Sequence, residues 1–264
     1  MLFLAGCGLY KAPARNRKAA RLKTESDEVS VVVPVKDEAG NVVPLAREIA
    51  AALRGERYEM IFVDDGSSDA TAAELLALRD AIGLRVLAHG KNLGQSRALR
   101  TGVRAAQADL VVTLDGDGQN DPSDIPALLA AFRDAAERPA FAMIAGERLK
   151  REDSWKKRMA SRLANSVRRR LLSDHARDTG CGLKAFRREA FLALPYFDHM
   201  HRYLITLMLR EGYEVRFMPV KHRPRRAGRS KYGVWDRLAV GITDLFGVMW
   251  LKRRFRGPDI PREL

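Results

Sequence analysis

Four short runs rich in Val, Ile and Leu, at 29–35, 58–63, 84–88 and 110–114, alternate with amphipathic segments near 42–53, 70–81, 96–106 and 123–136. Apolar runs this short and continuous fit strands buried on both faces, and the segments between them carry helical periodicity. Residues 141–145 and 214–220 read as further strands. Asp69 and Ser123 stand where helix N-caps belong, and Pro44 and Pro126 fall in first turns, where a missing N–H costs little. Strand alternating with helix at this spacing predicts an α/β fold with right-handed crossovers, a mostly parallel sheet and helices on both faces. Ligands of such sheets collect at the carboxyl ends of the strands, so that is where chemistry is expected.

With 264 residues, 46% of them hydrophobic, the chain has ample material for a buried core, which excludes disorder as its main state. Forty-seven Lys and Arg against thirty-three Asp and Glu leave a net charge of +14. That excess points to an anionic partner: nucleic acid, acidic lipid or a phosphorylated substrate. The only cysteines, Cys7 and Cys181, form no CxxC pair, so neither a disulfide framework nor a cysteine-built zinc site is available, and a reducing compartment fits. Leu4-Ala5-Gly6-Cys7 has the small-residue pattern of a lipid-modified cysteine, but only three residues precede it, too few for a signal peptide. We therefore read 1–28 as a mobile basic arm, with six cations and no acid between Lys11 and Lys23. The main domain is assigned to 29–232 and a C-terminal amphipathic, interfacial helix with a basic tail to 233–264. No stretch reaches the roughly 20 apolar residues that a membrane span requires.

The most informative segment is Leu114-Asp115-Gly116-Asp117-Gly118-Gln119-Asn120, with two carboxylates one residue apart behind an apolar strand. Alternate residues at a strand end can turn toward one pocket, and paired oxygen ligands suit Mg²⁺ or Mn²⁺ bridging a diphosphate. Gly116 and Gly118 would let backbone approach a ligand closely. Taken alone, the segment reads more readily as a polar Asp/Gly turn than as a site. Its neighbours matter, because the strand at 58–63 ends in Asp64-Asp65-Gly66-Ser67-Ser68-Asp69 and the first strand ends in Lys36-Asp37-Glu38. With Asp69 as a cap, Asp64 and Asp65 are left for another purpose, such as binding a nucleobase or ribose. Neither a GxGxxG turn after the first strand nor a GxxxxGK[ST] loop occurs, which removes support for dinucleotide enzymes and P-loop NTPases.

Taken in order, VSVVVPVKDE, EMIFVDDGSSD, LVVTLDGDGQNDPSDIP, AGERLK and RAGRSKYG resemble the family 2 glycosyltransferases of the polyprenyl-phosphate, or dolichol-phosphate, type. The resemblance covers roughly residues 29–233. It implies the GT-A nucleotide-binding fold and transfer of a sugar from a nucleotide donor to a lipid phosphate. By that resemblance Pro34, Glu38, Val63 and Asp65 hold the nucleoside. Asp115, Asp117 and Gln119 hold a divalent Mg²⁺ or Mn²⁺ and the diphosphate, Gly116 lies beside them, and Arg148 is near the phosphates. Arg225 and Lys231 are the cationic pair that closes over the donor. The chain departs from the pattern in having Lys36 where relatives often have an aromatic or Asn, DGDGQ for the usual DADLQ, and Asp178-Thr179-Gly180-Cys181-Gly182-Leu183-Lys184 for D-x-T-S-G-F-R. The first two changes bear on donor-sugar identity, whereas in the third segment the resemblance carries Asp178 and Lys184 over only to acceptor or loop positioning.

Lys150 to Arg170 holds nine cations. It is either a solvated helix face or, through Arg158, Ser161 and Arg162 at one turn's spacing, a site for the acceptor lipid phosphate. His199 and His201 would not share a helix face, and no catalytic histidine is assigned. Trp235, Leu238, Ala239, Ile242, Leu245, Phe246, Met249 and Trp250 form an apolar stripe followed by Lys252-Arg253-Arg254. It suits an anionic membrane interface, the alternative being that it packs on the domain or on a second copy.

The function expected is an inverting glycosyltransferase that moves sugar from UDP- or GDP-sugar to polyprenyl phosphate, peripheral on the inner face of the cell membrane. Asp117 is the first choice as catalytic residue. A phosphate acceptor is already anionic, so stabilising the departing diphosphate matters more than a strong base. The enzyme rival uses a carbohydrate hydroxyl or a diacylglycerol as acceptor. A nucleic-acid-binding protein is the rival from another class; it lacks a recognisable reading motif and leaves the strand-end carboxylates unexplained, so no nucleic-acid partner is expected. A second copy of the chain or a membrane protein remain open as partners.

Overall fold

The computed structural model describes residues 9–10, 28–148, 170–172, 174, 176, 178–225 and 234–257. Strands β2 (Val29–Val35), β3 (Tyr58–Asp64), β4 (Leu84–Ala88) and β5 (Leu110–Thr113) are the four apolar runs, and they pair in parallel in the order β5-β2-β3-β4. Helices α1 (Val42–Ala52), α2 (Thr71–Ile82) and α3 (Gln95–Ala105) connect them. Every residue of β2 is buried, as expected of a central strand covered on both faces. Its alternation divides the core, because Val29, Val31, Val33 and Val35 pack with α1 and α4 (Ile125–Ala135), while Val32 packs with α3.

The second half of the sheet is mixed. Strands β6 (Phe141–Arg148) and β8 (Glu214–Val220) are parallel to each other, whereas β7 (Lys184–Arg187) runs antiparallel between β6 and β5. Strand β1 (Leu9–Tyr10) adds an antiparallel edge on β8. The sequence pattern shows neither β7 nor β1, since four residues bounded by Lys184 and Arg187, or two alone, carry no periodicity to detect. The caps also differ from expectation. The N-cap of α2 is Ala70, and Asp69 works from one residue earlier, its carboxylate accepting from Thr71 N at 3.0 Å and from Ala39 N at 3.2 Å. Ser123 caps nothing; a 3₁₀ turn at Pro122–Asp124 precedes α4, and Asp121 accepts from Ser123 N at 3.0 Å.

After β7 come α5 (Arg188–Leu192), a 3₁₀ turn at Met200–Tyr203, α6 (Leu204–Arg210) and, after β8, α7 (Val234–Arg254). The apolar stripe of α7 splits between two environments. Val248 is buried, and Leu245, Met249 and Leu251 pack against the α3 side of the core. Tyr203 Oη donates to Gly241 O at 3.1 Å, Arg210 Nε donates to Leu251 O at 3.1 Å, and Lys252 donates to Leu172 O. Ile242, Phe246 and Trp250, four residues apart, stay 48%, 64% and 58% exposed. No helix among the described residues is long and apolar enough to cross a membrane. Lys231, the basic segment with Arg158, Ser161 and Arg162, and the basic arm apart from β1 and Glu28 lie outside the described residues.

Candidate active site

The carboxyl ends of β2, β3 and β5 open onto a cavity of about 310 Å³. Its walls include Pro34, Lys36, Glu38, Asp65, Asn92, Gly94, Gln95, Asp115, Gly116, Asp117 and Arg225. Seven of the residues expected at the site are therefore brought together: Pro34, Glu38, Asp65, Asp115, Gly116, Asp117 and Arg225. Val63, Gln119 and Arg148 line neither this cavity nor the second one described below. Val63 is fully buried and packs against Gly102 of α3. Gln119 donates its N–H to Asp117 Oδ1 at 3.1 Å and accepts from Arg223 N at 2.9 Å, so its backbone shapes the turn.

The first two strand-end loops are held together by their own acids. Asp37, at φ 48°, accepts from Ser68 N at 2.7 Å, and Asp64 accepts from Ser67 N at 3.1 Å. Asp65 is almost fully enclosed: its carboxylate accepts from Leu93 N at 2.9 Å and Gly94 N at 2.8 Å, and lies 2.7 Å from His89 Nδ1. His89 in turn meets Thr101 at 2.9 Å. Much of the acid content at these strand ends therefore satisfies loop amides that would otherwise be unpaired. Only the cavity-facing part is available to a ligand. Glu38 forms an ion pair with Arg225, the first residue of the basic RRAGRSK segment, and both line the cavity.

Asp115 and Asp117 follow β5 on a turn fastened by Asn120, whose Oδ1 accepts from Asp115 N at 3.1 Å. Gln95, at the start of α3, donates to Asp115 Oδ1 at 2.9 Å. The opposite side of Asp115 is closed by Gly182, where a Cβ would lie 2.4 Å from the carboxylate carbon, so only glycine leaves this carboxylate its place. Gly116 has a related role, since a Cβ there would meet Val35 Cγ1 at 2.6 Å; its small size serves close approach to β2. Burial, and then the charge of Asp117, push the Asp115 carboxyl up to about 6.

Two carboxylates forced together at the edge of a cavity suit a hard divalent cation, which relieves their repulsion. Among the described residues no cluster of three or more His, Cys, Asp or Glu side chains forms a complete metal cage. Mg²⁺ and Mn²⁺ are commonly held by one or two carboxylates and completed by substrate phosphate and water. Asp115 and Asp117 are the residues that would hold it.

Arg148 has a different setting from the one expected. It makes a two-pronged pair with Asp178, Nε to Oδ2 at 2.5 Å and Nη2 to Oδ1 at 2.7 Å, both side chains being largely buried. This pair anchors the start of the Asp178-Thr179-Gly180-Cys181-Gly182 loop to the end of β6. Cys181 is buried, and its burial pushes the thiol's pKa up, which leaves it an inert packing group.

A second cavity of about 210 Å³ adjoins the first and shares Gln95 and Asp115 with it. Thr113, Thr179, Gly180, Gly182, Lys184, His201 and Arg202 contribute to its wall. His201 Nδ1 lies 2.8 Å from Ser96 Oγ, and burial, followed by the charge of Arg202, brings its pKa down to about 3, so the ring is neutral. His199 instead faces Asp198 and Asp244, so the two histidines do not act as a pair. Gln95 and Arg202 escaped the sequence reading, because neither sits at the end of a recognisable parallel strand; Lys184 entered it only within the 178–184 segment, and His201 only as a histidine without a catalytic role.

Comparison with known proteins agrees with this geometry. Residues 30–194 match the model of glycosyl transferase family 2. The chain is 34% identical over 236 residues to a dodecaprenyl-phosphate galacturonate synthase of Rhizobium johnstonii, covering 87% of this chain and 68% of that one. It is 36% identical over 210 residues to an undecaprenyl-phosphate 4-deoxy-4-formamido-L-arabinose transferase of Edwardsiella ictaluri, covering 78% and 63%. It thus spans about two thirds of the length of these relatives. Among solved structures, glucosyl-3-phosphoglycerate synthase of Mycobacterium tuberculosis, in complex with Mn²⁺, UDP and glucosyl-3-phosphoglycerate, superposes with TM-score 0.64 at 19% identity. The alignment covers 88% of this chain and 81% of that one, a likeness of fold. With its strand-end carboxylates gathered in one cavity on a GT-A type α/β sheet, the chain belongs to the family 2 glycosyltransferases.

Proposed function

We propose that the protein transfers a sugar from a UDP- or GDP-sugar to a polyprenyl phosphate at the inner face of the cell membrane, with inversion at the anomeric carbon. The observation that carries this reading is the single cavity in which Asp115 and Asp117 meet Pro34, Glu38, Asp65 and Arg225. The nucleoside would lie against Pro34, Glu38 and Asp65, with its diphosphate directed toward the paired carboxylates. A divalent cation held by Asp115 and Asp117 would supply electrostatic stabilisation to the diphosphate as negative charge builds on it. Arg225 offers a second cation at the cavity mouth, and Lys231 in the same segment is assigned the same task. An oxygen of the acceptor phosphate forms the new bond to the anomeric carbon as the bond to the nucleoside diphosphate breaks. No side chain needs to remove a proton from this acceptor, which agrees with the neutral, buried His201 and the inert Cys181.

The polyprenyl acceptor is supported by the two curated relatives, which both carry a polyprenyl phosphate in their names. The exposed ridge Ile242, Phe246 and Trp250, with the exposed Arg253 and Arg254 behind it, supports peripheral contact with anionic lipid. Arg158, Ser161 and Arg162 remain the proposed contacts for the lipid phosphate. A donor screen with undecaprenyl phosphate and Mn²⁺ tests the reading. Formation of a sugar-phosphate lipid from a UDP- or GDP-sugar supports it. Transfer only to diacylglycerol or to a carbohydrate hydroxyl refutes the acceptor assignment.

A further inference from the structure

Lys184 is a cation in an unusual position. It begins β7 opposite Thr113 of β5, it is only 5% exposed, and it lines the second cavity. Its ammonium donates to the carbonyl of Cys181, and among the described residues no carboxylate lies within ion-pair distance of it. The anion whose charge it feels is Asp115. Arg202, on the same cavity wall, also has no ion-pair partner among the described residues. Enclosing an ammonium with no carboxylate in direct contact is costly, and neutral hydroxyls accept hydrogen bonds without cancelling charge. A divalent cation held by Asp115 and Asp117 would sharpen the imbalance, because it would take up the Asp115 charge that Lys184 feels.

The two cavities lie on either side of the shared pair Gln95 and Asp115. A nucleotide sugar is linear, running from base and ribose through the diphosphate to the sugar. With its nucleoside in the first cavity and its diphosphate at Asp115 and Asp117, the sugar is delivered into the second. About 210 Å³ is below the range of pockets that hold drug-sized ligands and suits one sugar ring. A polyprenyl phosphate fits this enclosed space poorly, because its lipid chain must stay in the membrane.

We infer that the second cavity is the donor-sugar subsite and that Lys184, assisted by Arg202, selects a sugar bearing a carboxylate. The inference rests on the nucleotide-sugar reading of the first cavity. Lys184 is accordingly a specificity residue: its ammonium pairs with the sugar carboxylate, while Thr179 and the backbone of the Gly180 to Gly182 loop are available to ring hydroxyls.

Binding in the absence of acceptor tests this directly. Calorimetric affinities with Mn²⁺ are compared within three pairs: UDP-glucose and UDP-glucuronate, UDP-galactose and UDP-galacturonate, GDP-mannose and GDP-mannuronate. UDP and GDP serve as references. For at least one pair the wild-type protein should bind the uronate roughly tenfold or more tightly, the size of one charge-assisted hydrogen bond. That preference should vanish in Lys184→Met and survive in part in Lys184→Arg. Equal affinities within every pair, or an undiminished preference in Lys184→Met, overturn the inference. So does a Lys184→Met variant that changes only the KM for polyprenyl phosphate, which would assign the cation to the acceptor. Failure of UDP and GDP themselves to bind would remove the nucleotide-sugar reading and this inference with it, whereas UDP or GDP binding without a uronate preference removes the inference alone. The wild-type comparison decides the matter even where a variant does not fold.

Discussion

Adding one methyl group to the loop behind the carboxylates should separate activity from stability. In Gly182→Ala the new Cβ would stand 2.4 Å from Asp115 Cγ and Oδ2 and 2.6 Å from Oδ1, where ordinary contact begins at 3.4 Å. The carboxylate must therefore retreat by about 1 Å or the loop must move by as much, and a misplacement of that size costs about 10²-fold in rate. Stability changes much less. Gly182 lacks the positive φ that would penalise a side chain, so alanine brings about 0.4–1 kcal/mol from reduced chain entropy, against about 1–3 kcal/mol for the overlap. The expected fall in Tm is about 3–6 °C. Gly102→Ala is the matched contrast: its Cβ would lie 2.4 Å from Val32 Cγ1 and 3.1 Å from Val63 Cγ2 in the core, so it should lose stability while the folded fraction keeps its catalytic rate. The assay is single-turnover sugar transfer at saturating Mn²⁺, beside a thermal melt. A Gly182→Ala enzyme with rate within about threefold of wild type would refute the claim that this glycine reserves the place of Asp115.

Asp115→Ala and Asp117→Ala should each abolish turnover in Mn²⁺ or Mg²⁺ while the far-ultraviolet circular dichroism and melt remain those of a folded protein; chelator-resistant activity would contradict this. Metal affinity should weaken as pH falls, because the Asp115 carboxyl, held near 6, must lose its proton to accept a cation; the half-saturating Mn²⁺ concentration should rise about tenfold between pH 7 and pH 5. Asp178→Ala leaves the buried Arg148 guanidinium without its partner and should cost about 3–5 kcal/mol in denaturant unfolding. Trp250→Glu and Phe246→Glu should release the protein from anionic vesicles in flotation with little change in Tm, since both side chains are more than half exposed; unchanged flotation would remove the α7 ridge from membrane contact.

The half of the sheet from Val29 to Thr113 was legible because each strand is an uninterrupted apolar run separated by a helix of ordinary length. Strands β2, β4 and β8 begin and end where the pattern places them, and β3 and β5 differ by one residue at their ends. Asp115 and Asp117 were readable for the same reason, as polar residues just past such a run. Strand β7 was not, because an antiparallel strand of four residues with charged ends resembles a loop until its neighbours are known. The second cavity went unrecognised with it, although the 178–184 segment and His201 were legible singly. Asp64 and Asp65 show the opposite limit: acid at a strand end signals a site, yet most of their hydrogen bonds go to backbone and side chains of the loops themselves.

The insertion of β7 between β5 and β6 bears on how the molecule is made. Thr113 pairs with Lys184, so the sheet's two halves join through contacts about seventy residues apart along the chain. Closing so long a segment is entropically expensive, and folds rich in distant pairings form slowly. During synthesis β5 must emerge well before its antiparallel neighbour, leaving an apolar edge with unpaired N–H and C=O groups. A nascent chain halted short of Lys184 would therefore be prone to aggregate, and Asp115 and Asp117, already translated, would have no wall behind them. The sheet is therefore expected to close only once these four residues have arrived.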